Sequence, residues 1–401
     1  MDINKDKLNF EKNRKIFIDI GNKYGKNIER MMKVAYLLGS LNRGGTETLL
    51  LDCFQNSAQA PYNMIGIYRK DGKLSSAFKQ TNSKLLKLTP RYFLDINYLL
   101  RLRKILKQEQ VSVVHAQQAL DALYAKLASI GCNRKIILTF HGFDFKNKVL
   151  DKIIYRLIIK NTDCNIFVSN VQQKYYIRKY KLEDKRQQVV YNGISFSKFK
   201  EDVLLDIRKE LNIQPTTLLF AMVGNFVPGR DQISVCRFLN VLTKQKIYFN
   251  FLFVGKKDEA EPWRFDNCVE YCKQHNLSDK VHFLGGRNDV PIILPQLDAF
   301  VYSSEYDTFG IAVIEAIASG IPVFVNDWDV MQEITENGKL AVLYKTKDEN
   351  DLNQKFMHYM QNKYLYLAQA KQSAIEVKQK FSIENHINCL YNLYQFINGH
   401  K

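Results

Sequence analysis

The chain of 401 residues is 46% hydrophobic and 25% charged, which is the composition of a soluble globular protein long enough for two domains. No apolar run approaches the roughly 20 residues of a membrane-spanning helix, and the polar N-terminus lacks the apolar core of a signal peptide, so we expect a cytoplasmic protein. The formal net charge of +17 predicts an anionic partner, either a phosphate-bearing substrate, an acidic membrane surface or nucleic acid. Nucleic acid is the weakest of these because the sequence has no zinc-finger, basic-zipper or RNP-like motif.

The seven cysteines are scattered along the chain, which predicts reduced thiols rather than a disulfide framework. Cys268 and Cys272 share one face of a predicted helix, and His275 and His282 are the histidines nearest to them in sequence. A zinc site there is the weaker hypothesis. We expect both thiols to lie in a core.

Residues 1–31 are polar and rich in lysine and asparagine, and we interpret them as an extension that precedes the first domain. The first strand, Lys33 to Leu38, leads through a turn that contains Gly44 and Gly45 into a helix beginning near Glu47. The free N–H groups at such a helix start attract an anion, although the turn is not a P-loop, whose lysine would fall at position 45. An ordinary strand-to-helix turn is the alternative interpretation.

Strands and helices then alternate, and this order predicts a parallel sheet whose ligands bind beyond the carboxyl ends of the strands. His115 and His141 each close a predicted strand. We favour a functional role for His141, because Gly142 follows it directly, and leave His115 open between a structural and a functional role. The predicted strands are Asn63 to Tyr68, Val111 to His115 and Lys135 to Phe140, and the predicted helices are Ile96 to Gln108 and Leu120 to Ile130.

The helix predicted from Lys148 to Lys160 is basic and amphipathic. Its cations recur every four residues beside an apolar face of leucine and isoleucine, a pattern that can lie on an anionic bilayer. The alternative is an ordinary surface helix packed on the sheet. The basic residues expected at a membrane surface are Lys148, Lys152, Arg156 and Lys160.

The turn Asn192-Gly193-Ile194 and the charged stretch after it predict a domain boundary, because the alternation of strands and helices restarts beyond them. Predicted strands in this second half end at or just before Gly224, Gly255 and Gly285, and glycine lets a ligand approach the backbone closely. Arg230 follows at the start of a helix, where it can reach a phosphate. The predicted strands are Leu218 to Val223, Phe249 to Val254, Val281 to Leu284, Ala299 to Tyr302 and Pro322 to Val325, and the helices are Asp231 to Gln245, Pro262 to His275, Val290 to Leu294 and Ile311 to Ser319.

The helix from Ile311 to Ser319 is apolar almost all round, yet it contains Glu315. The residues three and four positions away are apolar or small, so the helix offers no polar face to this carboxylate. A buried carboxylate needs hydrogen-bond partners, which a bound ligand or an adjacent loop can supply. The pattern by itself favours neither source.

The stretch from Asp307 to Val325, DTFGIAVIEAIASGIPVFV, resembles the E-x7-E signature of retaining GT-B glycosyltransferases, specifically glycosyltransferase family 4 (group 1). Further matches follow the family's order along residues 32–395. They are the block Gly44-Gly45-Thr46-Glu47, TFHG around His141, FVS at Phe167 to Ser169, VVYNGI at Val189 to Ile194, the VG and Arg block from Val223 to Arg230, and FLG at Phe283 to Gly285.

The resemblance implies an α/β protein with the GT-B fold, in which two Rossmann-like domains face each other across a cleft and a C-terminal helix crosses back to the N-terminal domain. Residues 32–194, with the crossing helix 382–398, would form the acceptor domain. Residues 195–381 would form the domain that binds the nucleotide-sugar donor. In this arrangement the amphipathic C-terminal end of the chain would pack on the N-terminal domain.

Carried over position by position, the resemblance implies that Glu315 accepts hydrogen bonds from the donor ribose and that His141 lies beside the reacting sugar. The first acidic position of the signature is Asp307 rather than the usual glutamate, and the Arg-and-Lys pair common in the family appears as Asn225 and Arg230. The implied catalytic residues are His141, Arg230, Asp307 and Glu315, and the implied donor-binding residues are Gly44, Gly45, Gly224, Asn225, Thr308, Phe309, Gly310 and Glu315.

The implied reaction moves a hexosyl unit from a UDP- or GDP-sugar to a hydroxyl of a glycan or lipid-linked acceptor, with retention at the anomeric carbon, in bacterial surface polysaccharide synthesis. The resemblance implies no cofactor and no metal. The protein would act in the cytoplasm or peripherally at the inner face of the plasma membrane. Two alternatives are a nucleotide-sugar epimerase on the same fold and a non-catalytic donor-binding partner subunit.

Overall fold

The structure of the protein is a computed structural model, and it describes residues 31–144, 149–183, 186–199 and 205–399. The fold lies in the compact unit that comprises residues 33–401. The predicted extension 1–31 falls outside the described residues, apart from Met31.

The N-terminal half of this unit alternates strands with helices, as predicted. Its strands are β1 (Lys33–Ser40), β2 (Asn63–Lys70), β3 (Lys84–Lys87), β4 (Val113–Ala116), β5 (Lys135–Phe140), β6 (Cys164–Phe167) and β7 (Gln187–Val189). Its helices are α1 (Gly45–Gln55), α2 (Ser75–Lys79), α3 (Ile96–Gln108), α4 (Ala119–Ala128), α5 (Val149–Asn161) and α6 (Asn170–Tyr180). The described strands form one seven-stranded parallel sheet with the order β3-β2-β1-β4-β5-β6-β7.

The C-terminal half repeats this architecture. Its strands are β8 (Leu218–Val223), β9 (Phe249–Val254), β10 (Val281–Phe283), β11 (Ala299–Tyr302), β12 (Val323–Asn326) and β13 (Val342–Tyr344). Its helices are α7 (Ile207–Glu210), α8 (Gln232–Lys244), α9 (Trp263–Gln274), α10 (Val290–Ile293), α11 (Ile311–Ala318), α12 (Asp329–Ile334), α13 (Glu349–Gln361), α14 (Lys363–Lys380) and α15 (Ile383–Gly399). The described strands pair in a six-stranded parallel sheet with the order β10-β9-β8-β11-β12-β13.

Each sheet reverses its winding beside its first strand, because β1 lies between β2 and β4, and β8 lies between β9 and β11. The central strands are apolar runs buried on both faces, as parallel sheets covered by helices require. The reversal leaves a crevice at the carboxyl ends of the strands, which is where open α/β sheets bind ligands. The strand order of each sheet therefore predicts where a ligand would bind, namely at the carboxyl ends of its strands.

Sequence periodicity located most of these elements within one or two residues, and it missed several short ones. β3 and β13 have four and three residues and were not predicted, since runs of this length carry too little period-two signal. Helix α6 was also not predicted, because its buried positions are Gln172, Tyr176 and Tyr180, which are not the aliphatic residues that make an apolar stripe recognisable. Cys268 and Cys272 lie in the core, as expected.

The C-terminal helix α15 packs on the first sheet, as the resemblance implied. The chain crosses over through backbone hydrogen bonds from Ile194 N to Phe381 O (2.8 Å) and from Ile383 N to Ile194 O (3.0 Å). The hydroxyl of Tyr394 on α15 then lies 3.0 Å from the hydroxyl of Tyr36 on β1 and 2.7 Å from Nδ1 of His115 on β4. The amphipathic end of the chain thus buries its apolar face against the N-terminal half.

His115 therefore has a structural role, which resolves the alternative left open by the sequence. Its second ring nitrogen, Nε2, lies 2.6 Å from the hydroxyl of Thr139, so both nitrogens are occupied inside the core. Burial lowers the pKa of His115 to about 3, which keeps the imidazole neutral.

None of the helices in the described part of the chain combines the length and the apolar character needed to span a bilayer.

Candidate functional site

A cavity of about 510 Å³ lies between the carboxyl edges of the two sheets. Every site residue that the resemblance implied lines this cavity, although these residues come from distant parts of the chain. They are Gly44, Gly45, His141, Gly224, Asn225, Arg230, Asp307, Thr308, Phe309, Gly310 and Glu315. The tertiary structure therefore brings the whole predicted set together.

Two helix N-termini point into this cavity from opposite sides. Helix α1 begins at Gly45 in the N-terminal half, and α11 begins at Ile311 in the C-terminal half. A β-carbon built on Gly45 would lie 3.9 Å from Cδ1 of Ile311, so the two helix starts almost touch. The first-turn N–H groups of a helix lack partners within the helix and carry its positive dipole end, so both starts favour an anion in the cavity.

Gly310 is required at the start of α11. Its φ of 82° lies in the left-handed region, which disfavours residues with a β-carbon. A β-carbon at this position would also approach Cε of Met331 to 2.9 Å. The glycine of the signature thus permits the tight turn that presents the helix start.

Arg230 is held in the cavity wall by a carboxylate and an aromatic ring. Its Nη1 lies 3.0 Å from Oδ2 of Asp307, and its guanidinium lies 5.4 Å from the centre of the Tyr302 ring. Its Nε is buried and has no hydrogen-bond partner among the described residues. A cation oriented in this way, with an unused N–H group, fits a phosphate ligand.

Asp307 uses its carboxylate to position its neighbours. Oδ2 accepts a hydrogen bond from the hydroxyl of Tyr302 (2.9 Å) in addition to the ion pair with Arg230, and Oδ1 accepts one from the backbone N–H of Thr308 (2.8 Å). The carboxylate therefore fixes both the cation and the loop before α11. The sugar contact implied for this position stays a prediction.

Glu315 lies on α11 at the floor of the cavity, with its carboxylate unpaired within the described portion of the chain. Burial raises the pKa of Glu315 to about 7, and the nearby carboxylate of Asp52 adds to this increase, whereas the ammonium of Lys198 opposes it. An unpaired carboxylate in a ligand-sized cavity matches the ligand alternative of the sequence analysis. The loop alternative finds no contact in the described structure.

Lys198 is a site residue that the sequence analysis missed. Its ammonium pairs with the buried carboxylate of Asp52 on α1, and both residues line the cavity near Glu315. Lys198 follows the predicted domain boundary within a charged stretch, so no periodicity or motif marked it. Only the folded connection between the two halves brings it to the cavity.

His141 closes β5 at the edge of the cavity. Its Nε2 lies 2.7 Å from Oε1 of Gln117, and its carbonyl oxygen accepts a hydrogen bond from Oγ1 of Thr308 (3.0 Å). Burial lowers the pKa of His141 to about 3, with a smaller contribution from His386. The imidazole is therefore neutral near pH 7 and can donate or accept hydrogen bonds without carrying charge.

Gly224 and Asn225 shape the wall opposite α1. A β-carbon on Gly224 would lie 3.3 Å from Nε of Arg230, so glycine leaves room for the guanidinium. Oδ1 of Asn225 accepts a hydrogen bond from the backbone N–H of Lys256 (2.9 Å) and thereby joins the loops after β8 and β9. Asn225 thus stabilises the cavity wall. Its side chain is neutral, so it does not supply the positive charge that the second cation of the family pattern would provide.

A second cavity of about 730 Å³ adjoins His141 on the side of the N-terminal half. Its wall combines the side-chain amides of Gln117 and Gln118 with the carboxylate of Glu47 and the aromatic rings of Phe140 and Tyr176. Nε2 of Gln117 is buried there without a hydrogen-bond partner in the described structure. Polar groups set between aromatic faces are suited to a sugar or a similar polyhydroxylated molecule.

Two family models match the chain, Glycosyltransferase Family 4 over residues 43–198 and Glycosyl transferases group 1 over residues 205–377. A similar curated protein is the UDP-Gal:alpha-D-GlcNAc-diphosphoundecaprenol alpha-1,3-galactosyltransferase of Escherichia coli, 23% identical over 75% of this chain and 79% of that protein. Another is the N,N'-diacetylbacillosaminyl-diphospho-undecaprenol alpha-1,3-N-acetylgalactosaminyltransferase of Campylobacter jejuni, 27% identical over 70% of this chain and 76% of that protein.

Solved structures show the same fold. A glycosyltransferase from Rickettsia africae superposes with a TM-score of 0.81 at 18% identity, covering 93% of this chain and 100% of that one. HepE from Anabaena, in complex with UDP and glucose, superposes with a TM-score of 0.79 at 16% identity, covering 91% of this chain and 100% of that one. Two parallel sheets, a crossing C-terminal helix and two matching family models lead to one conclusion: the chain is a glycosyltransferase with the GT-B fold and belongs to glycosyltransferase family 4 (group 1).

Proposed function

We propose that the protein transfers a hexosyl unit, with retention at the anomeric carbon, from a UDP- or GDP-sugar bound in the 510 Å³ cavity to a hydroxyl of an acceptor bound in the adjoining 730 Å³ cavity. The observation that carries this proposal is the convergence of two helix N-termini and Arg230 on one cavity that also contains an unpaired carboxylate, Glu315. The positive groups suit a diphosphate, and the carboxylate suits ribose hydroxyls.

Each cavity residue then has a role in donor binding. Gly44, Gly45 and Gly310 offer backbone N–H groups to the diphosphate, and Arg230 offers its guanidinium. The N–H groups of Thr308 and Phe309 donate to Oδ1 of Asp307 (2.8 and 3.5 Å), so these two residues order the loop that lies beside the phosphates. Gly224 and Asn225 form the wall along which the donor lies. His141 contacts the reacting sugar from the N-terminal half, and Asp307 orients Arg230 beside a sugar hydroxyl.

Transfer breaks the bond between the anomeric carbon and the donor phosphate oxygen, and it forms a bond from the same carbon to the acceptor oxygen. Negative charge develops on the departing diphosphate, where the helix starts and Arg230 stabilise it. The acceptor hydroxyl attacks from the face that the phosphate leaves, and its proton passes to a phosphate oxygen. His141 is neutral and close to the sugar, so it stabilises the sugar by hydrogen bonding rather than by charge.

We propose a lipid-linked glycan as the acceptor, in bacterial surface polysaccharide synthesis. The relatives from Escherichia coli and Campylobacter jejuni carry names that specify sugars linked to diphosphoundecaprenol. The family match and the polar and aromatic wall of the second cavity are compatible with such an acceptor. UDP is the first donor nucleotide to test, because the structurally similar HepE was solved with UDP and glucose.

We also propose that the N-terminal half docks on an anionic membrane surface. Lys148 lies outside the described residues. Lys152, Arg156 and Lys160 lie on α5, and the same helix exposes Ile153 (51%) and Leu157 (57%) to solvent. Apolar side chains that are exposed beside cations match the interface of an anionic bilayer.

A second exposed apolar element supports this docking surface. The turn before α3 exposes Tyr92 (60%) and Phe93 (64%), and the buried carboxylate of Asp95 holds the turn by accepting hydrogen bonds from the backbone N–H groups of Arg91 (2.9 Å) and Tyr98 (3.1 Å). Helices α3 and α5 both pack on α4 and both begin at the carboxyl edge of the sheet. The two apolar elements therefore flank the proposed acceptor cavity.

The proposal is tested by nucleotide release from UDP- and GDP-sugars with and without lipid-linked acceptors. Release that depends on the acceptor supports transfer, whereas interconversion of the donor sugar without acceptor supports an epimerase. We expect Arg230→Ala to lower kcat about 100-fold, because it removes a cation from the leaving group, and Glu315→Ala mainly to raise the donor KM.

Arg264→Ala is the matched control, since Arg264 pairs with Glu261 on the surface of α9 away from the cavity. Steady-state constants of both cavity variants equal to those of Arg264→Ala would contradict the assignment. Donor binding without turnover, in a screen that includes every acceptor pool, would indicate the non-catalytic partner subunit.

A further inference from the structure

The carboxylate of Glu333 joins the two halves of the protein. Glu333 lies on α12 in the C-terminal half, and among the described residues all its hydrogen-bond donors belong to the N-terminal half. Oε1 accepts from the backbone N–H of Asn170 (2.7 Å), from Nδ2 of Asn170 (2.8 Å) and from the hydroxyl of Tyr191 (2.9 Å). Oε2 accepts from the backbone N–H of Val171 (3.0 Å).

These bonds complete the N-terminal cap of α6. Its first two N–H groups, those of Asn170 and Val171, bond to Glu333, and the third, that of Gln172, bonds to the side chain of Ser169 (3.2 Å). A carboxylate at this end of a helix is stabilised by the unpaired N–H groups and by the helix dipole. The C-terminal half thus supplies acceptors for the two N–H groups of α6 that the Ser169 cap does not bind.

Glu333 is rigidly linked to the loop proposed to bind the donor phosphates. Met331 and Ile334, which flank it on α12, pack against Gly310, where an added β-carbon would lie 2.9 Å from Met331 and 3.2 Å from Ile334. Tyr191, which donates to Glu333, also has its ring 6.0 Å from the ring of Phe309. Helix α12 therefore packs directly against the start of α11.

The helix that Glu333 caps is linked in turn to His141. Nε2 of Gln172 and the hydroxyl of Tyr176, both on α6, donate hydrogen bonds to the carbonyl oxygen of Gly142 (2.9 and 3.0 Å). This carbonyl follows His141 directly. Thr308 in the C-terminal half also contacts this segment directly, because its Oγ1 donates a hydrogen bond to the carbonyl oxygen of His141 (3.0 Å).

We propose that Glu333 is a positioning residue for glycosyl transfer. Its carboxylate holds the donor loop at Phe309 and Gly310 in register with His141, so that the proposed donor meets the proposed acceptor cavity in the reactive arrangement. The inference rests on the proposed function. The residue touches neither cavity's reacting groups and acts through α6 on one side and α12 on the other.

The test compares Glu333→Ala, Glu333→Gln and Glu333→Asp with Glu376→Ala, whose carboxylate pairs with Lys339 within the C-terminal half. We expect Glu333→Ala to lower kcat about ten-fold or more while the donor dissociation constant changes less than about two-fold, because Arg230 and Glu315 bind donor within one half. The kcat of Glu333→Asp should lie between those of wild type and Glu333→Ala, since the shorter side chain reaches fewer N–H groups. Amide hydrogen exchange at Asn170 and Val171 should accelerate in the same order.

An unchanged kcat in Glu333→Ala, or a loss of donor affinity as large as the loss of kcat, would overturn the inference. If Glu333→Ala does not fold, Glu333→Gln decides, because it keeps the shape and removes the charge. The hydrogen-exchange measurement needs no substrate, so it reports on the hydrogen bonds between Glu333 and the start of α6 even if the wild-type protein transfers no sugar. Failure of the proposed function is thereby distinguished from failure of this inference.

Discussion

Glu315 combines an ordinary side chain with an environment that changes its chemistry. The helix around it is apolar, Glu315 is half-buried at the cavity floor, and burial raises the pKa of its carboxyl group to about 7. Lys198 and Asp52 act on it in opposite senses, and these two pair with each other. The ionisation of Glu315 therefore lies within the physiological range.

We predict that donor affinity depends on pH through Glu315. Only the carboxylate accepts two hydrogen bonds from ribose hydroxyls, and a pKa of about 7 leaves most of it protonated below pH 7. The donor dissociation constant should therefore rise about ten-fold from pH 8 to pH 6. Calorimetric titration with a nucleotide sugar measures this, because its phosphates are diesters that do not titrate in this range.

Glu315→Gln is the control for this prediction. Its amide does not ionise, so its donor affinity should be weaker than that of wild type at pH 8 and nearly independent of pH. A wild-type affinity that is constant between pH 6 and pH 8, or a pH dependence that survives in Glu315→Gln, would show that another group is responsible.

Asp307 is one methylene shorter than the glutamate usual at this position of the signature, and this difference changes which groups its carboxylate contacts. A glutamate at this position would extend farther into the cavity, whereas the aspartate is engaged by Arg230, Tyr302 and the Thr308 N–H group. The shorter side chain keeps the negative charge and orients the cation. Arg230, which lines the cavity, is the cation proposed to bind the donor phosphate.

At the scale of elements, the sequence predicted that α5 is amphipathic. It left open whether the apolar face of this helix lies on a membrane or packs on the sheet. The helix packs on the domain through Tyr155, Ile158 and Ile159, while Ile153 and Leu157 remain exposed. An ordinary surface helix keeps such side chains against the sheet. The exposed pair beside Lys152 and Arg156 therefore favours the membrane-docking proposal.

We predict that the double variant Lys152→Glu and Arg156→Glu binds anionic liposomes at low salt with a partition constant about 30-fold lower than that of wild type, since each of the two basic residues near an anionic surface contributes on the order of 1 kcal/mol. The matched control is Lys371→Glu and Lys378→Glu on α14, which makes the same charge change on exposed positions of the C-terminal half. Equal sedimentation of all three proteins would remove α5 from the docking surface. Turnover with a soluble acceptor analogue should be unaffected in both variants.

At the scale of the whole molecule, the site exists only because two similar halves face each other. The proposed donor-binding groups lie mainly in the C-terminal half, whereas His141, Gly44 and Gly45 come from the N-terminal half. The crossing helix α15 and the Glu333 carboxylate tie the halves together at separate places. Binding in the cavity should stabilise this arrangement as a unit.

We predict that the correct nucleotide sugar raises the melting temperature by a few degrees when its concentration is about 100 times its dissociation constant, since such saturation stabilises the native state by about 2.7 kcal/mol. A thermal-shift screen of UDP-, GDP- and ADP-sugars therefore identifies the donor base. Glu315→Ala should show a smaller shift with the same donor at the same concentration. No shift with any nucleotide sugar would contradict donor binding in this cavity.

The sequence by itself determined the α/β class, most of the long elements, the family and eleven residues that the fold brings to one cavity. It could do so because buried strands and amphipathic helices leave periodic patterns in the chain, and because the E-x7-E stretch and its companion blocks keep their order and spacing. The GT-B fold and the return of the C-terminal helix are confirmed. These features depend on information that is local, or that recurs in fixed order along the chain.

Only the tertiary structure decided the partners of individual side chains. The pairing of Asp307 with Arg230, the burial of His115 against Tyr394, the approach of Lys198 to Glu315 and the capping of α6 by Glu333 each join residues that are separated by many positions or lie in different halves. Such contacts leave no periodicity, because their spacing along the chain is set by the packing of whole domains. Side-chain roles depend on these contacts through charge and burial, and so they follow from the fold rather than from any local pattern.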